Sequence, residues 1–342
     1  MSDETRRGRA WLIRWRSGRQ AAARRSGLGA YAARRILLLI PLVFGVTVIV
    51  FLLTSLVPGG PVAALLGGHA TDTAAVEAIR ARYHLNDSLF TQYVTWVGDV
   101  IHGNLGTSIY TSEPVASELQ QRFGVTLALN AVAIVISLSA GISLGMLAAR
   151  SRGKFADHLA VAIGIFSSSF PSFVLAIVLL YVFAIHWTIF PVVGLGNGGF
   201  DEVTHLILPG VVMALAPLGF VTKISRAAML EQMETDYVAF ARARGVPWRR
   251  IYTRYVLRNA LIPILTASGL LITSALTATV FVEAVFGIPG IGGLLVTAVN
   301  NTDIPVIQGI VLVVAIWVVC ANIIIDLLYV AIDPRVSFGR LS

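Results

Sequence analysis

Long apolar runs separated by short polar segments dominate the sequence and predict membrane-spanning helices. The first run, 36–57, carries no charge, and as a helix it would extend ~33 Å, enough for a ~30 Å hydrocarbon core. A charged side chain at the centre of such a helix costs roughly 2.5–3.5 kcal/mol, so charge-free runs of this length predict spans. Together the runs predict an all-α integral membrane protein with six transmembrane helices. The five further runs are at about 123–149, 159–185, 206–221, 261–282 and 304–325.

Composition supports the membrane assignment. Of 342 residues, 56% are hydrophobic and 13% are charged, and the mean hydropathy is +0.79. Soluble domains are about 45–50% apolar and about 25% charged. The single cysteine, Cys320, excludes an internal disulfide framework and a cysteine-based metal site.

The positions of the basic residues predict the orientation. With a cytosolic N-terminus, 23 of the 26 Lys and Arg residues lie in cytosolic segments, and only Arg80, Arg82 and Arg122 lie outside. Basic residues accumulate in cytosolic loops of membrane proteins, so six spans place both termini in the cytosol. The same asymmetry accounts for the formal charge of +8 without a nucleic-acid partner.

The chain divides into a tail and a bundle that carries an insert. Residues 1–35 hold ten arginines and predict a basic cytosolic tail, either largely disordered or anchored on anionic lipid. Residues 36–342 form the six-span domain. Its external insert, 58–122, includes two predicted amphipathic helices, at 74–85 and 90–101. This insert is either a self-packed cap or a dock for a soluble binding protein.

The most distinctive polar stretch is 236–263, DYVAFARARGVPWRRIYTRYVLRNALIP, which overlaps the predicted cytosolic coupling region 227–258. Its first ten residues favour a short helix, because Ala and Arg are good helix formers. Gly245 can end that helix in a left-handed conformation, and Pro247 can open a second helix in its first turn. We expect a small helix across the cytosolic membrane face that can transmit force from a soluble partner.

This stretch resembles the EAA loop of permease subunits in bacterial ATP-binding-cassette importers. Ala239, Phe240 and Ala241 stand where the Glu-Ala-Ala of the loop lies, so its Glu is lost, and Gly245 matches its Gly. The dipeptide and oligopeptide (peptide/nickel) branch is closer, and the chain resembles its first, B-type, dipeptide permease subunit. The strings similar to that branch lie at 58–62, 103–108, 169–173, 236–245, 257–263, 283–292, 303–308 and 327–335.

The resemblance implies a fold and partners. It implies a type I importer permease with a small external helical insert, in the bacterial cytoplasmic (inner) membrane. The partners would be a homologous second permease, two ATPase subunits and an external solute-binding protein. ATP and Mg would be bound by the ATPase subunits, so no cofactor is expected in this chain. Peptides are the expected solute, with nickel or another small solute as the alternative in the same family.

The resemblance also implies which residues couple transport to the ATPase. Tyr237 and Phe240 would fill an apolar groove of the ATPase, Arg242 would pair with an acid, and Gly245 would permit the bend. Arg250 and Arg254 are either ordinary cytosolic charge or further ATPase contacts. The full coupling set is Asp236, Tyr237, Ala239, Phe240, Ala241, Arg242 and Gly245.

Five other residues are candidates for the solute pathway or its gate. Ser169 and Pro171 interrupt the third run, where they would kink the helix or line a pore. Glu283 either binds a positive group or is a solvated helix cap. Phe286 and Asp303 belong to the family strings near the expected external gate.

Enzymatic and self-powered alternatives find little support in the sequence. No Walker A string, H-E-x-x-H string or G-x-S-x-G elbow is present in the 342 residues. A secondary transporter, the other transport alternative, usually carries intramembrane acids, whereas the mid-span positions here lack charge. We therefore expect a transport subunit without its own ATPase site.

Overall fold

The computed structural model describes residues 41–52 and 87–332, together with the single residues 37 and 77. The side chains of 270, 272–277 and 326–332 are outside this description. The basic tail 1–35 and most of the predicted helix 74–85 lie outside the described residues.

In the described residues every regular element is helical. A π-helical turn, Leu180–His186, directly follows the helix Ser172–Leu179, and another, Ile251–Val256, directly precedes the helix Leu257–Phe286. The helices are α1 (Pro41–Leu52), α2 (Leu89–Ile101), α3 (Val115–Arg150), α4 (Phe155–Ser169), α5 (Ser172–Leu179), α6 (Phe200–Met233), α7 (Asp236–Ala243), α8 (Trp248–Arg250), α9 (Leu257–Phe286), α10 (Ile291–Asn300) and α11 (Ile304–Ile332).

Among the residues that the structure describes, three helices are long and apolar enough to cross a membrane on their own. They are α3, α6 and Ile304–Ile325 of α11, and they confirm the second, fourth and sixth predicted spans. Phe155–Ser169 and Ser172–His186 form a bent pair that corresponds to the third predicted span. A second bent pair joins Ala278–Phe286, which overlaps only the end of the fifth predicted span, to Ile291–Asn300. The first predicted span is described only as α1, so the total of six stays a prediction.

The third predicted span is broken, where a kinked helix was one of the expectations. α4 and the α5 segment meet at an angle of 102°. Phe170 is extended, with φ −106° and ψ 142°, because Pro171 excludes the helical conformation for the residue before it. The Ser169 hydroxyl donates back to the Ile165 carbonyl (2.7 Å), which satisfies one of the carbonyls at the end of α4.

α9 and α10 form a second bent pair, in which a glycine ends the first helix. The last turns of α9, Ala278–Phe286, are inclined at 82° to α10. Gly287 ends α9 in the left-handed conformation, with φ 58°, and a Cβ on it would lie 2.6 Å from Val193. The Gly-Ile-Pro-Gly string therefore makes a tight turn that brings α10 back against the bundle.

The predicted helix at 90–101 is confirmed as α2, and it packs on α1. The Thr47 and Tyr93 hydroxyls share a hydrogen bond of 2.7 Å, and the Phe51 and Trp96 rings lie 6.0 Å apart. α11 joins the same group, since Gln308 Nε2 donates to the Val50 carbonyl (2.9 Å).

The centre of the bundle is the close contact between α3 and α6. A Cβ on Gly141 would lie 2.7 Å from Val221, and one on Gly145 would lie 2.4 Å from Ser225 Cβ and 2.9 Å from Arg226 N. Small residues at this spacing let two helix backbones approach, which is the usual basis of helix association in membranes.

Gly145→Ala should therefore destabilise the bundle by about 1–3 kcal/mol, because the backbone of α6 cannot move away from the added methyl group. Gly124→Ala is the matched control, since Gly124 is also in α3 and has nothing within 4 Å of its Cβ position. Thermal unfolding in detergent measures the difference. Equal stability of the two variants would contradict the close contact.

Candidate functional site

The helix predicted from the 236–245 stretch is present as α7, and its C-terminal cap has the expected form. Gly245 has φ 74° and donates its N–H to the Arg242 carbonyl (2.9 Å). Val246 N donates to the Ala241 carbonyl (3.1 Å), which completes a Schellman cap. Pro247 lies one residue before α8 begins, so the predicted second helix starts one position later than expected.

One face of α7 is buried against the bundle. Val238 and Ala241, three residues apart on the helix, belong to a buried cluster with Met229 of α6, Ile251 and Ile264. Ala241 is one of the predicted coupling residues, and it faces the bundle, so any role in coupling would come from its packing there. These two side chains fix how α7 lies on the ends of α3, α6 and α9.

The other face of α7 is exposed and carries a large apolar residue. Asp236, Ala239, Phe240 and Arg242 are all exposed, and the Phe240 side chain is 62% exposed. The Arg244 guanidinium lies 4.9 Å from the centre of the Phe240 ring. A large aromatic side chain left on the surface of a short, well-anchored helix is typical of a binding hot spot.

Two predicted coupling residues make contacts within the chain. The Tyr237 hydroxyl donates to Gln232 Oε1 (2.8 Å) and accepts from Asn259 Nδ2 (3.1 Å), and Tyr237 is only partly exposed. The Arg242 guanidinium stacks over the Trp248 ring at 4.3 Å. Tyr237 thus helps hold α7 on the bundle, while pairing of Arg242 with an acid of a partner stays a prediction.

The segment after α7 is tied to the end of α3. The Tyr252 hydroxyl donates to the Met146 carbonyl, and burial raises the pKa of Tyr252 to about 12, so the phenol stays neutral and keeps its proton for this bond. Arg250 and Arg254 are exposed on the same segment. Both the cytosolic-charge and the partner-contact interpretations of these arginines are compatible with that exposure.

Glu283 is wholly buried, so the solvated-cap interpretation is wrong. Its carboxylate accepts hydrogen bonds from Thr126 Oγ1 (2.7 Å), Gly292 N (2.7 Å) and Gly293 N (3.2 Å). The two glycine amides belong to the first turn of α10, where an anion is favourable. Glu283 therefore joins α3, α9 and α10, and its neighbour Phe286 is buried in the apolar core.

Asp303 is buried as well, between the loop 103–113 and α11. It accepts hydrogen bonds from Ser108 Oγ (2.5 Å), Tyr110 N (3.2 Å) and Ile109 N (3.3 Å). This carboxylate holds the end of the insert that is predicted to be external on the first turn of α11. Ser169 and Pro171, the remaining two candidates, are exposed at the break between α4 and α5.

A cavity of about 230 Å³ lies between α3, α9, α10 and α11. Most of its lining is apolar, and Thr126 brings one of its few polar groups. A zwitterionic peptide needs charged partners for its two termini, so this cavity suits it poorly.

Comparisons with known proteins relate this architecture to a transport family. The sequence model of "Binding-protein-dependent transport system inner membrane component" matches residues 141–338, and the model of its N-terminal part matches residues 30–130. The chain is 36% identical over 314 residues to the "Probable peptide ABC transporter permease protein y4tP" of Sinorhizobium fredii, covering 91% of this chain and 100% of that protein. The chain belongs to this permease family.

Other relatives and a solved structure agree. The permease is 39% identical over 325 residues to the "Probable D,D-dipeptide transport system permease protein DdpB" of Escherichia coli, covering 88% of this chain and 95% of that protein. A chain of the inward-facing MetNI methionine ABC transporter superposes with a TM-score of 0.55 at 19% identity, over 65% of the permease and 100% of that chain. This likeness shows a shared fold, and the permease is a multi-pass inner-membrane protein.

The residues that hold α7 and the segment after it on the bundle were not predicted from the sequence. Val238 belongs to a family string, and its i, i+3 spacing with Ala241 is the local signal that places both on one buried helix face. The contact of Tyr252 with α3 joins residues 106 positions apart and has no local signal. The same holds for the Asp157–Arg226 ion pair, which joins the permease's α4 and α6.

Proposed function

We propose that this permease is the membrane subunit of an ATP-driven importer of di- or oligopeptides. The names of the relatives support the solute class, since they are peptide and D,D-dipeptide permeases. The observation that carries the proposal is the exposed Phe240 on α7, a short helix whose other face is anchored in the bundle. The partners are a homologous second permease, two ATPase subunits and an external solute-binding protein.

α7 is the element through which the ATPase acts. The exposed Phe240 ring enters an apolar groove of the ATPase subunit, and Asp236, Ala239 and Arg242 lie around it. Val238 and Ala241 pass any displacement of α7 to the bundle, because they are packed against α6 and the start of α9. This arrangement requires α7 and both termini to be cytosolic, as the distribution of basic residues predicts.

Transport then proceeds by alternating access. Closure of the two ATPase subunits on ATP and Mg moves the two α7 helices of the permease pair and opens the cavity between the permeases outward. The binding protein docks on the external face and delivers the peptide into that cavity. The Asp303 contacts hold the end of the external insert in place for this docking.

Reconstitution of the complete complex in proteoliposomes tests the proposal. With ATP enclosed on the ATPase side and binding protein outside, we expect uptake of radiolabelled alanyl-alanine that stops when ATP or the binding protein is omitted. The control is the same complex with a nonhydrolysable ATP analogue. Uptake by the permease alone under an ion gradient would overturn the proposal in favour of a secondary transporter, and uptake of Ni²⁺ but not peptide would overturn the solute class.

A further inference from the structure

A partly buried ion pair joins the start of α4 to the end of α6. Arg226 Nε lies 2.7 Å from Asp157 Oδ1, and Arg226 Nη2 lies 2.8 Å from Asp157 Oδ2. Gly153 N donates to the same carboxylate (2.9 Å). The side chain of Asp157 is 4% exposed and that of Arg226 is 31% exposed. Paired hydrogen bonds of this kind fix the relative orientation of the two groups as well as their distance.

The ion pair lies where the backbones of three helices meet. Gly145 of α3 faces Arg226 N and Ser225, as described above. On the other side of α6, a Cβ on Gly219 would lie only 2.0 Å from the Gly164 carbonyl oxygen of α4. α6 therefore touches both α3 and α4 without intervening side chains, and the ion pair closes this contact at the end nearest α7.

The same end of α6 carries α7. Met229, one turn after Arg226, lies in the buried cluster that anchors Val238 and Ala241. A displacement of α7 therefore reaches α6 beside Arg226. For this displacement to reach the start of α4, the first turn of α4 must move together with α6. Asp157 is in that turn.

We infer that Asp157 and Arg226 are positioning residues that make α4 move together with α6 when the ATPase displaces α7. The inference rests on the proposed function of α7. It assigns to the Asp157–Arg226 pair the step that carries motion from the coupling helix to the broken helix pair α4–α5. Without the pair, the Gly164–Gly219 contact described above still holds α4 to α6. ATP hydrolysis then continues while α4 follows α6 less closely, so less solute moves per ATP.

A second ion pair on the same turn provides a matched control. Arg152 Nη1 lies 2.6 Å from Glu234 Oε1, and it too joins the α3–α4 turn to the end of α6. Its side chains are 63% and 67% exposed, so water and salt screen it and it contributes little. Loss of this pair should leave transport per ATP unchanged.

The test is a double-mutant cycle in the complete reconstituted complex. Asp157→Asn, Arg226→Gln and the double variant are compared with wild type for alanyl-alanine taken up per ATP hydrolysed. We expect each single variant to lower this ratio roughly two- to thirtyfold, the range over which couplings of this kind are modulated. In the Asp157→Asn background, Arg226→Gln should add little, because the two residues act through each other.

The comparison can still be made if one of the variants fails to fold or assemble. Arg226→Gln alone leaves a buried carboxylate without its cation and can fail to assemble. The Asp157→Asn/Arg226→Gln chain has no such carboxylate, so the Asp157→Asn and double variants still give the comparison. The yield of assembled complex is measured for each.

The outcomes separate this inference from the proposed function. Wild-type ratios in the variants, additive effects of the two substitutions, or an equal fall in Arg152→Ala/Glu234→Ala would overturn it. A wild-type complex that imports alanyl-alanine with ATP while the cycle shows no coupling would reject only this inference. A wild-type complex that shows no ATP-dependent uptake would instead reject the proposed function.

Discussion

Phe240→Asp should weaken binding of the ATPase subunits to the permease at least about a hundredfold. Burial of a Phe side chain contributes about 1.5–3 kcal/mol, and a carboxylate placed in the same groove adds an unpaired, desolvated charge. The combined loss corresponds to at least about a hundredfold weaker binding, at 1.4 kcal/mol for each factor of ten. Titration of purified ATPase subunits against the detergent-solubilised permease measures it.

The control for this prediction is another exposed phenylalanine. Phe200 is 82% exposed at the start of α6, the opposite end of that helix from α7. Phe200→Asp should leave ATPase binding unchanged. Phe240→Asp should also leave the unfolding temperature of the isolated permease unchanged, because Phe240 lies outside the buried cluster under α7. Wild-type ATPase binding by Phe240→Asp, or an equal loss with Phe200→Asp, would contradict the assignment of α7.

Glu283→Ala should destabilise the permease more than any other single substitution considered for the bundle. It removes the acceptor for Thr126 Oγ1, Gly292 N and Gly293 N, all of which are buried or partly buried. Each buried donor left without a partner costs about 1–3 kcal/mol, so the total is about 3–9 kcal/mol before any rearrangement. The start of α10 should come away from α3 and α9.

Thermal unfolding and protease digestion in detergent test this prediction. Glu283→Gln should lose less stability, because its one amide oxygen can still accept from part of the donor set. Glu234→Ala, at an exposed glutamate, is the control and should unfold as wild type. Retention of wild-type stability by Glu283→Ala would show that the carboxylate does not hold the α9–α10 turn.

Helices with a local signal were predictable from the sequence. Apolar runs gave α3, α6 and the span within α11, and the helix-favouring residues before Gly245 gave α7 with its left-handed cap. The angles at the breaks were not predictable in the same way. A Pro after Phe170 indicates an interruption, but the value of 102° depends on how α4 and α5 each pack against α6 and α9.

The roles of the two acidic candidates depended on contacts remote in the sequence. Glu283 looked accessible because it precedes a Gly- and Pro-rich turn, yet the turn folds over it: a Cβ on Gly290 would lie 2.2 Å from its Oε1. Asp303 finds its donors at 108–110, almost two hundred positions earlier. A carboxylate in a loop string has the same local sequence whether it binds a solute or satisfies backbone amides. Only the tertiary contacts distinguish the two.

α7 has one buried face and one exposed face, so the residues that stabilise the bundle differ from those proposed to bind a partner. Substitutions at Val238 or Ala241 change the stability of the bundle, whereas those at Ala239 or Phe240 change affinity for whatever docks there. The two sets lie on different faces of one helix of eight residues. Substitutions on the exposed face can therefore change partner preference without loss of folding. A permease of this kind could thus exchange one ATPase for another through a few surface replacements.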